Sequence, residues 1–530
     1  MHRLVPARPN AGAGECGSRI DLARISGLLT AGRPVPWAWG AGLLVAGVPF
    51  AAFTTLALYH FYIKGAFFWD SGLLAYLMST PDPRLPTPPI FGGASFFATH
   101  FTPVFVLLSL LRRLFPISDV QFFAGFSGIC HALPGLAAFW LLYAGFRLRT
   151  AIGLAVAAAV SVAFCFNGLA LAIARYPHFE MLIVGTALLF FVALVRHQTV
   201  LASLCFALCL MTREDAGLHL FGLLFLMIAT NRWRGIGGGD QRREIVFAAL
   251  ALTYSLAALA LQHAVLGGQS SFARIYLGEP VFAKLTVAMI GERLLGYLHY
   301  RTYLALPAII ALVWAVRARN PYIVLGYIAF LPWAVLHLIA DSPLAGTLSG
   351  YYAFPFMIAA FWPLLGVVLA RRSGSGEAPA AVPALAFAAM IAVSFTALGH
   401  QHNPGGIALP GAFLSAPSLA RQQATEAAVS ALAQSKAELG TVFVDGSVLA
   451  LAPAAYRLDE TVQEAGNRLP DTVIYFAAGY EADKAQAIGV AAHLDAHYRV
   501  PGTSIRVATD HPIEPASPLA ALLARAEPLK

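Results

Sequence analysis

A long succession of apolar segments constrains this chain more than any other feature; it begins at Trp37 and continues to about residue 399. Hydrophobic residues make up 58% of the 530 residues and charged residues only 12%, whereas ordinary soluble domains carry about 25% charged residues. A helix that crosses a bilayer needs about 20 apolar residues. The sequence therefore predicts a polytopic membrane protein whose main part is an all-α bundle of transmembrane helices.

About eleven of these segments are predicted to cross the membrane. They are 37–63, 119–146, 150–173, 178–196, 198–212, 216–231, 244–266, 302–316, 321–340, 350–370 and 380–399. If the segment 101–114 also crossed, the arginine clusters that follow it would face outward. The positive-inside rule, together with a length of roughly 14 residues, favours a juxtamembrane helix there instead. We therefore expect a cytoplasmic N-terminus and an extracytoplasmic C-terminus.

Changes of composition divide the chain into three predicted parts. Residues 1–36 carry five arginines among glycine and proline, and we expect a disordered basic cytoplasmic tail. Residues 37–399 form the transmembrane domain, with a large first outer loop over 64–118. Residues 400–530 read as a small extracytoplasmic α/β domain. Its predicted elements are a helix over 421–438, strands over 441–445 and 472–477, a helix near 484–497 and a strand near 503–508.

Charge and cysteine content exclude several other classes of protein. The net charge of +8 would suggest nucleic acid as the partner of a soluble protein. Here the basic residues fall in short clusters between apolar runs, which indicates membrane topology, so we expect membrane lipids and no nucleic acid as partners. None of the five cysteines forms a CxxC pair, and four lie in apolar runs. The sequence therefore predicts neither a disulfide framework nor a cysteine metal site.

The predicted topology places polar residues from at least five connections at the outer face of the membrane. They are Asp70, His100, His178, Glu180, Arg213, Glu214, Asp215, Glu279, Asp341, Tyr351 and Tyr352. The inner face carries basic clusters with few acids. Ionisable groups close to lipid are costly and often mark function. The sequence therefore predicts a functional site on the outer side.

Asp70 is the candidate catalytic residue in the first outer loop. Transfer of a sugar to an acceptor hydroxyl needs a carboxylate that takes the proton as the new bond forms. Aromatic neighbours at 67–69 would raise the pKa of this carboxyl towards a useful value. The structural alternative is a helix N-cap, because Asp70 precedes a helical pattern over 71–79.

His100 and the charged triplet Arg213-Glu214-Asp215 are candidates for binding a lipid phosphate. His100 opens the 101–114 helix, whose free N–H groups would favour an anion; the alternative is an interfacial histidine bonded to the backbone. Arg213 would bind the phosphate, while the two acids hold Arg213 or a divalent cation. The alternative for the triplet is a hydrated turn with an internal ion pair.

Two further groups complete the candidate site. His178 and Glu180 would add to a sugar or metal site, but their spacing matches no dependable metal-ligand pattern, so no metal ligand and no certain cofactor is assigned. Trp69, Tyr351 and Tyr352 are the aromatic residues expected to stack on a sugar. Other aromatic residues are expected to be core or interfacial-belt residues.

Four short motifs resemble those of a known family. They are Trp-Asp-Ser at 69–71, His-Phe-Thr-Pro-Val at 100–104, Arg-Glu-Asp at 213–215 and Tyr-Tyr-Ala-Phe-Pro at 351–355. They resemble a bacterial family of membrane proteins catalogued as domain of unknown function 2079. That family looks like a branch of the GT-C superfamily of integral-membrane glycosyltransferases. The resemblance covers roughly residues 40 to 400.

The resemblance implies a helical-bundle enzyme of the bacterial inner membrane. It would take a sugar from a polyprenyl-phosphate-linked donor and pass it to a lipid or glycan acceptor at the outer face, usually with inversion of the anomeric centre. Asp70 matches the acid of the first loop, and His100 matches the start of the second juxtamembrane helix. The loop holds only one further acid, Asp82, and Gly350 stands where family members often have histidine.

Two other classes of protein stay open at this point. One is a transporter or flippase of lipid-linked sugars, which should bury ionisable groups near the midplane and show two related halves. The sequence shows neither of these features. The other is a non-catalytic membrane scaffold whose outer α/β domain recruits partners.

Overall fold

A computed structural model describes residues 38–175, 178–235, 241–266, 273–348, 350–372, 381–398, 409–511 and 513–527. The predicted basic tail over 1–36 lies outside these residues. The described chain is mostly helical, and its only sheet within these residues lies near the C-terminus.

The α-helices, in chain order, are α1 Ala38–Tyr59, α2 Leu73–Ser79, α3 Pro103–Arg112, α4 Asp119–Trp140, α5 Ala151–Cys165, α6 Gly168–Arg175, α7 Glu180–Val195, α8 Thr199–Leu210, α9 Ala216–Trp233, α10 Arg242–Ala264, α11 Val287–Tyr300, α12 Thr302–Arg317, α13 Leu325–Ala329, α14 Leu331–Ile339, α15 Pro343–Gly346, α16 Phe354–Arg372, α17 Ala381–Leu398, α18 Leu409–Leu414, α19 Leu419–Gln434, α20 Gly446–Leu451, α21 Ala482–Ala491 and α22 Pro518–Leu522. The strands are β1 Val442–Val444, β2 Thr472–Phe476, β3 Ala496–Arg499, β4 Ile505–Thr509 and β5 Ala524–Arg525. Five-residue π-helical segments include His60–Lys64 after α1 and Phe68–Gly72 before α2.

Within the described ranges, five helical stretches are long and apolar enough to cross a membrane. They are Ala38–Lys64, Asp119–Gly145, Arg242–Ala264, Pro321–Ile339 and Pro343–Ala370. Two bent pairs, α5 with α6 at 44° and α11 with α12 at 78°, raise the number to seven if each pair is one span. Every segment predicted as a span contains a helix, but the structure supports five to seven crossings by length and composition rather than clearly eleven.

The predicted and observed numbers of spans differ because several predicted spans are short, buried helices. α7 has 16 residues and α8 has 12, so at 1.5 Å per residue they are roughly 24 and 18 Å long, against about 30 Å of hydrocarbon. Every residue of α7 is buried inside the bundle. A helix that is apolar on all sides can be a core helix as well as a membrane span, and sequence alone does not separate the two.

The segment 101–114 forms the short helix α3. It has 10 residues, roughly 15 Å, which is half the thickness of the bilayer core. Proline stands in its first turn, where the missing N–H is not needed. Its exposed leucines, Leu107, Leu110 and Leu111, lie on one side. These features fit the predicted juxtamembrane helix.

The C-terminal sheet has five strands in the order β1–β2–β4–β3–β5 and is open. β1 pairs with β2 in parallel, and the other pairs are antiparallel. The predicted strands correspond to β1, β2 and β4, and the two predicted helices to α19 and α21. The sequence does not predict β3, which reads AHYR and is only partly buried, or β5, which has two residues.

Both faces of the central strands are covered, as their continuous apolar pattern predicts. Leu432 of α19 lies in one core cluster with Ile474, and Ala485 of α21 lies in another with Val473. The first cluster is continuous with the core of the helical bundle. The α/β domain and the bundle are therefore joined by a shared hydrophobic core.

The buried carboxyl group of Asp445, at the end of β1, allows a prediction of how the stability of the protein depends on pH. Its Oδ1 accepts a hydrogen bond from the Val448 N–H, and its Oδ2 accepts one from the Phe476 N–H, each at 2.9 Å. Burial raises the pKa of Asp445 to about 7. Between about pH 4 and 7 the folded state therefore takes up a proton that the unfolded state does not, so stability should rise as the pH falls through 7 and be lost as it rises.

The expected gain is on the order of 4 kcal/mol, since one pKa unit corresponds to about 1.4 kcal/mol. Thermal unfolding of the detergent-solubilised protein from pH 8 to pH 4.5, for wild type and Asp445→Asn, measures it. Asp445→Asn should be less stable overall, because one backbone N–H loses its acceptor, and should show a flatter pH dependence. An unchanged slope in Asp445→Asn would contradict the assignment.

Candidate functional site

Asp70 lies inside the π-helical turn Phe68–Gly72, not at its end. Phe67 takes the extended conformation before the turn, with φ −76° and ψ 124°. Its carbonyl accepts hydrogen bonds from the Ser71 hydroxyl at 2.9 Å and the Gly72 N–H at 3.1 Å. The Asp70 side chain makes no hydrogen bond or ion pair with any residue that the structure describes. The N-cap alternative for Asp70 is therefore wrong, because the cap position belongs to Phe67.

Burial without a cationic partner raises the pKa of Asp70 to about 6. A carboxyl with a pKa in this range is largely ionised at neutral pH and still accepts a proton readily, which suits a general base. Asp70 also interacts electrostatically with Tyr351, which in turn interacts with Arg213. The turn in the first loop thus lies beside the second group of predicted site residues.

Arg213 is the centre of that group. Its Nε donates to Asp215 Oδ1 at 2.6 Å, its Nη2 donates to Asp215 Oδ2, and its Nη1 donates to Glu180 Oε1 at 2.6 Å. Its guanidinium lies 5.1 Å from the centroid of the Phe354 ring. Burial alone would raise the pKa of Asp215, but Arg213 and His219 hold it below its usual value. Three of the five guanidinium N–H groups are used, so two can still donate to a ligand.

The positions of Glu180 and Arg213 along the chain explain why their side chains meet. Glu180 is the first residue of α7, and the triplet that contains Arg213 connects α8 to α9. Both are helix ends on one side of the bundle, and carboxylates at helix N-termini are favoured by the helix dipole. Glu180 is fully buried. A buried carboxylate needs a cation or hydrogen-bond donors, and Arg213 supplies both.

Two histidines flank the ion pairs. His178 Nδ1 is hydrogen-bonded to Glu180 Oε2. His100 Nδ1 lies 3.0 Å from Glu214 Oε1. The Nε2 atom of His100 has no partner among the described residues.

The N-terminus of α3 does not offer the free N–H groups that the sequence predicts. The Phe101 N–H donates to Glu214 Oε2 at 2.8 Å, and the Val104 N–H donates to the Met211 carbonyl at 2.9 Å. The anion at this helix end is the Glu214 carboxylate. Glu214 thus joins the first outer loop to the triplet, instead of holding Arg213 as the sequence predicts.

The predicted stacking residues occupy two different places. Tyr351 stacks on His178 at 4.0 Å and on Tyr352 at 4.6 Å, so both faces of its ring are covered. Trp69 faces the α/β domain: its Nε1–H donates to Gln463 Oε1 at 3.0 Å, and half of its surface stays exposed. Of the three predicted aromatic groups, Trp69 therefore has the most open ring.

Two acids of the predicted outer face lie apart from this cluster. Asp341 forms an ion pair with Lys284 at 2.7 Å, and its N–H donates to the carbonyl of Tyr276 at 3.1 Å. Glu279 forms no hydrogen bond or ion pair with the described residues. The segment around Tyr276 nevertheless lies near the cluster, because Tyr276 interacts electrostatically with Arg213.

Sequence reasoning missed residues that complete the cluster. His219 lies one turn after Asp215, with its Nε2 3.6 Å from Asp215 Oδ2, and its i,i+4 spacing on α9 could have indicated this. His337, which contacts Tyr352 ring to ring at 5.9 Å, gives no such local signal. Its neighbourhood depends on packing between distant segments.

The acids of the cluster hold Arg213 and His100 and do not form a ready set of metal ligands. Within the described ranges, only one group of three histidine or carboxylate ligand atoms lies within 4.8 Å of one another. It consists of Asp471, Asp510 and His511 at the surface of the α/β domain. Comparison with protein-family models gives no match, and comparison with curated proteins gives no significant relative.

Proposed function

We propose that this chain is a membrane glycosyltransferase of the GT-C kind. It transfers a sugar from a polyprenyl-phosphate-linked donor to an acceptor hydroxyl at the outer face of the cytoplasmic membrane. One observation carries the proposal: the desolvated carboxylate of Asp70, without a partner among the described residues, lies on a turn beside a buried cluster in which two N–H groups of Arg213 have no partner in the described part of the chain. An acid–base group next to an anion-binding group is what glycosyl transfer from a phosphate requires.

The reaction assigns one task to each group. The acceptor oxygen attacks the anomeric carbon and gives its proton to the Asp70 carboxylate. The bond between that carbon and the phosphate oxygen breaks, and the polyprenyl phosphate leaves with the electron pair. The free N–H groups of Arg213 and the Nε2 side of His100 stabilise the charge that develops on the leaving phosphate. Direct displacement inverts the anomeric centre.

The charge of the cluster favours a donor with a single phosphate. The single guanidinium of Arg213 bonds to Glu180 and Asp215 and also interacts electrostatically with Glu214, so carboxylates outnumber guanidinium groups in the cluster. A polyprenyl-phosphate sugar is a phosphodiester with one negative charge. A diphosphate donor would bring more negative charge and would need a divalent cation to offset the repulsion.

A transporter or flippase of lipid-linked sugars is the second candidate class. Glu180 and the Arg213 triplet lie at helix ends, whereas transporters place their ionisable groups on interrupted helices near the midplane. The position of the cluster therefore favours the enzyme. A non-catalytic scaffold would not need a half-buried carboxylate that has no partner among the described residues.

We propose further that the bundle crosses the membrane about eleven times, with the N-terminus inside and α3 at the outer surface. Reporter fusions at Arg149, Arg242 and Ala420 test this arrangement. Fusions at Arg149 and Arg242 should report the cytoplasm and the fusion at Ala420 the outside. An outward signal at Arg149 would reverse the side on which the cluster lies.

The function is tested by analysing lipid extracts and envelope glycans of a strain that lacks the chain. We expect one sugar modification to disappear and a polyprenyl-phosphate sugar to accumulate, because the donor is no longer consumed. Complementation with the wild-type chain should reverse both changes. Unchanged glycans together with an unchanged donor pool would contradict the proposal, and a donor confined to the inner leaflet would favour the flippase.

A further inference from the structure

The α/β domain packs directly on the turn that carries Asp70. A Cβ atom placed on Gly72 would lie 2.6 Å from the Cα and Cβ of Ala450 in α20. A Cβ atom on Gly65, whose φ is +95°, would lie 2.5 Å from Ser447 Oγ. Real side chains do not approach this closely, so the backbone of the first loop touches α20 at two places where only glycine fits.

The residues on both sides of Asp70 are held by the same domain. The Phe67 ring stacks on the Tyr480 ring at 3.5 Å with an angle of 19°. The Trp69 indole N–H donates a hydrogen bond to Gln463 Oε1. The turn is thus contacted before Asp70, directly next to it, and two residues after it.

The chain that leads into the turn is also fixed by the α/β domain. Arg421 Nε donates to the Tyr62 carbonyl at 3.2 Å, and Ser504 Oγ donates to the Ile63 carbonyl at 2.9 Å. The Tyr62 hydroxyl donates to Glu426. These bonds lie at the end of the first apolar helix, only a few residues before the turn.

The turn depends on packing from outside itself. It has five residues in a π-helical conformation, which is rare, and no side chain caps it. It runs directly into the seven-residue helix α2, and a helical segment as short as the two together is marginal on its own in water. Phe91 of the first loop contacts the rings of Phe68 and Trp69, and the α/β domain supplies the other contacts that hold the turn in place.

We propose that the α/β domain is part of the active site, and that Ala450, Gln463 and Tyr480 are positioning residues that keep Asp70 desolvated and directed at the cluster. The proposal rests on the proposed function only for the task of Asp70; the positioning itself does not depend on it. Titratable groups that border the turn are Tyr480 and Glu481 from this domain, Tyr351 from the helical bundle, and the buried His60 at the end of the first apolar helix, which contacts the Phe67 ring. None of them is a positive charge.

Gly72→Ala is the sharpest test, because its methyl group meets Ala450. The readout is labelling of Asp70 by a membrane-permeant carbodiimide, which reacts with protonated carboxyl groups, followed by mass spectrometry as a function of pH. Wild type should reach half-maximal labelling near pH 6, the value expected for the buried carboxyl. In Gly72→Ala the midpoint should fall by about one to two pH units towards that of an exposed aspartate.

Gly125→Ala is the matched control, because a Cβ atom on Gly125 meets nothing within 4 Å. It should leave the labelling curve unchanged. A second pair avoids any loss of folding: Gln463→Leu removes the acceptor of the Trp69 N–H, and Gln463→Glu keeps an acceptor oxygen. Gln463→Leu should shift the midpoint downward and Gln463→Glu should restore it.

Sugar transfer adds an independent readout. Misplacement of a catalytic group by about 1 Å costs on the order of 100-fold, so kcat of Gly72→Ala should fall by about 10- to 100-fold with KM nearly unchanged. A wild-type labelling midpoint in both Gly72→Ala and Gln463→Leu would overturn the positioning role. A shifted midpoint without any effect of Asp70→Asn on glycans would leave the positioning intact and reject the glycosyltransferase.

Discussion

Asp70→Asn is expected to lower sugar transfer by about 10²- to 10⁴-fold, the usual contribution of a general base. Asparagine keeps the shape of the side chain but cannot take the proton of the acceptor. Folding should be unaffected, because the Asp70 carboxylate bonds to no residue that the structure describes. The measurement is the amount of transferred sugar per amount of membrane-inserted protein. The wild-type rate should also rise with pH through about 6 and then level off, since the base acts in its ionised form.

Asp82→Asn provides the matched control in the same loop. Asp82 is partly exposed and pairs with the exposed Arg84, whose hydrogen bonds lower the pKa of Asp82 to about 2, so it is ionised at any physiological pH. Its replacement should leave both transfer and the pH profile unchanged. Asp70→Ala should behave as Asp70→Asn does, because no helix cap is lost. Wild-type transfer by Asp70→Asn would remove the general base from the mechanism.

Arg213→Met is expected to destabilise the protein by about 3–5 kcal/mol, the typical cost of breaking a buried ion pair from one side. Glu180 is fully buried and Asp215 mostly so, and both carboxylates would lose the guanidinium that bonds to them. Thermal unfolding in mild detergent measures the loss. Arg213→Lys should recover only part of it, since an ammonium cannot reproduce the planar two-point contact with Asp215.

Arg84→Met is the matched control for Arg213→Met. Arg84 also forms a forked contact with an aspartate two residues away, Asp82, but this pair lies in solvent. Exposed ion pairs contribute little because water screens them. The unfolding temperature of Arg84→Met should therefore match that of wild type. Equal losses in the two variants would show that burial is not what makes the Arg213 pairs important.

The convergence of the polar residues could be predicted from topology alone. Glu180, Arg213 and Glu214 stand at helix ends, and counting spans assigns those ends to one side. Their partners could not be predicted: Arg213 bonds to Glu180, 33 residues earlier, and His100 to Glu214, 114 residues later. These pairs depend on which helices pack together. Apolar helices in a membrane protein carry few side-chain signals that would identify their neighbours.

Sequence reasoning also could not predict the number of membrane crossings or the details of the small domain. A buried 12-residue helix such as α8 and a short span have the same apolar composition. β3 exists because β4 offers hydrogen bonds to a further strand, and β5 because β3 does, not because either has a pattern of its own. The orientation of Trp69 is a similar case, since its partner Gln463 belongs to a domain far along the chain.

The separation along the chain between Trp69 and Gln463, 394 residues, has a consequence for biogenesis. At the usual 5–20 residues per second, the ribosome needs roughly 20–80 s to make the chain between them. During that time the first loop has been synthesised, but α20 and the rest of its support have not. The contacts between the α/β domain and the Asp70 turn can therefore form only after nearly all of the helices that surround the cluster have been made. Under the proposed positioning role, a chain that stops before the α/β domain would lack the residues that hold Asp70 in place.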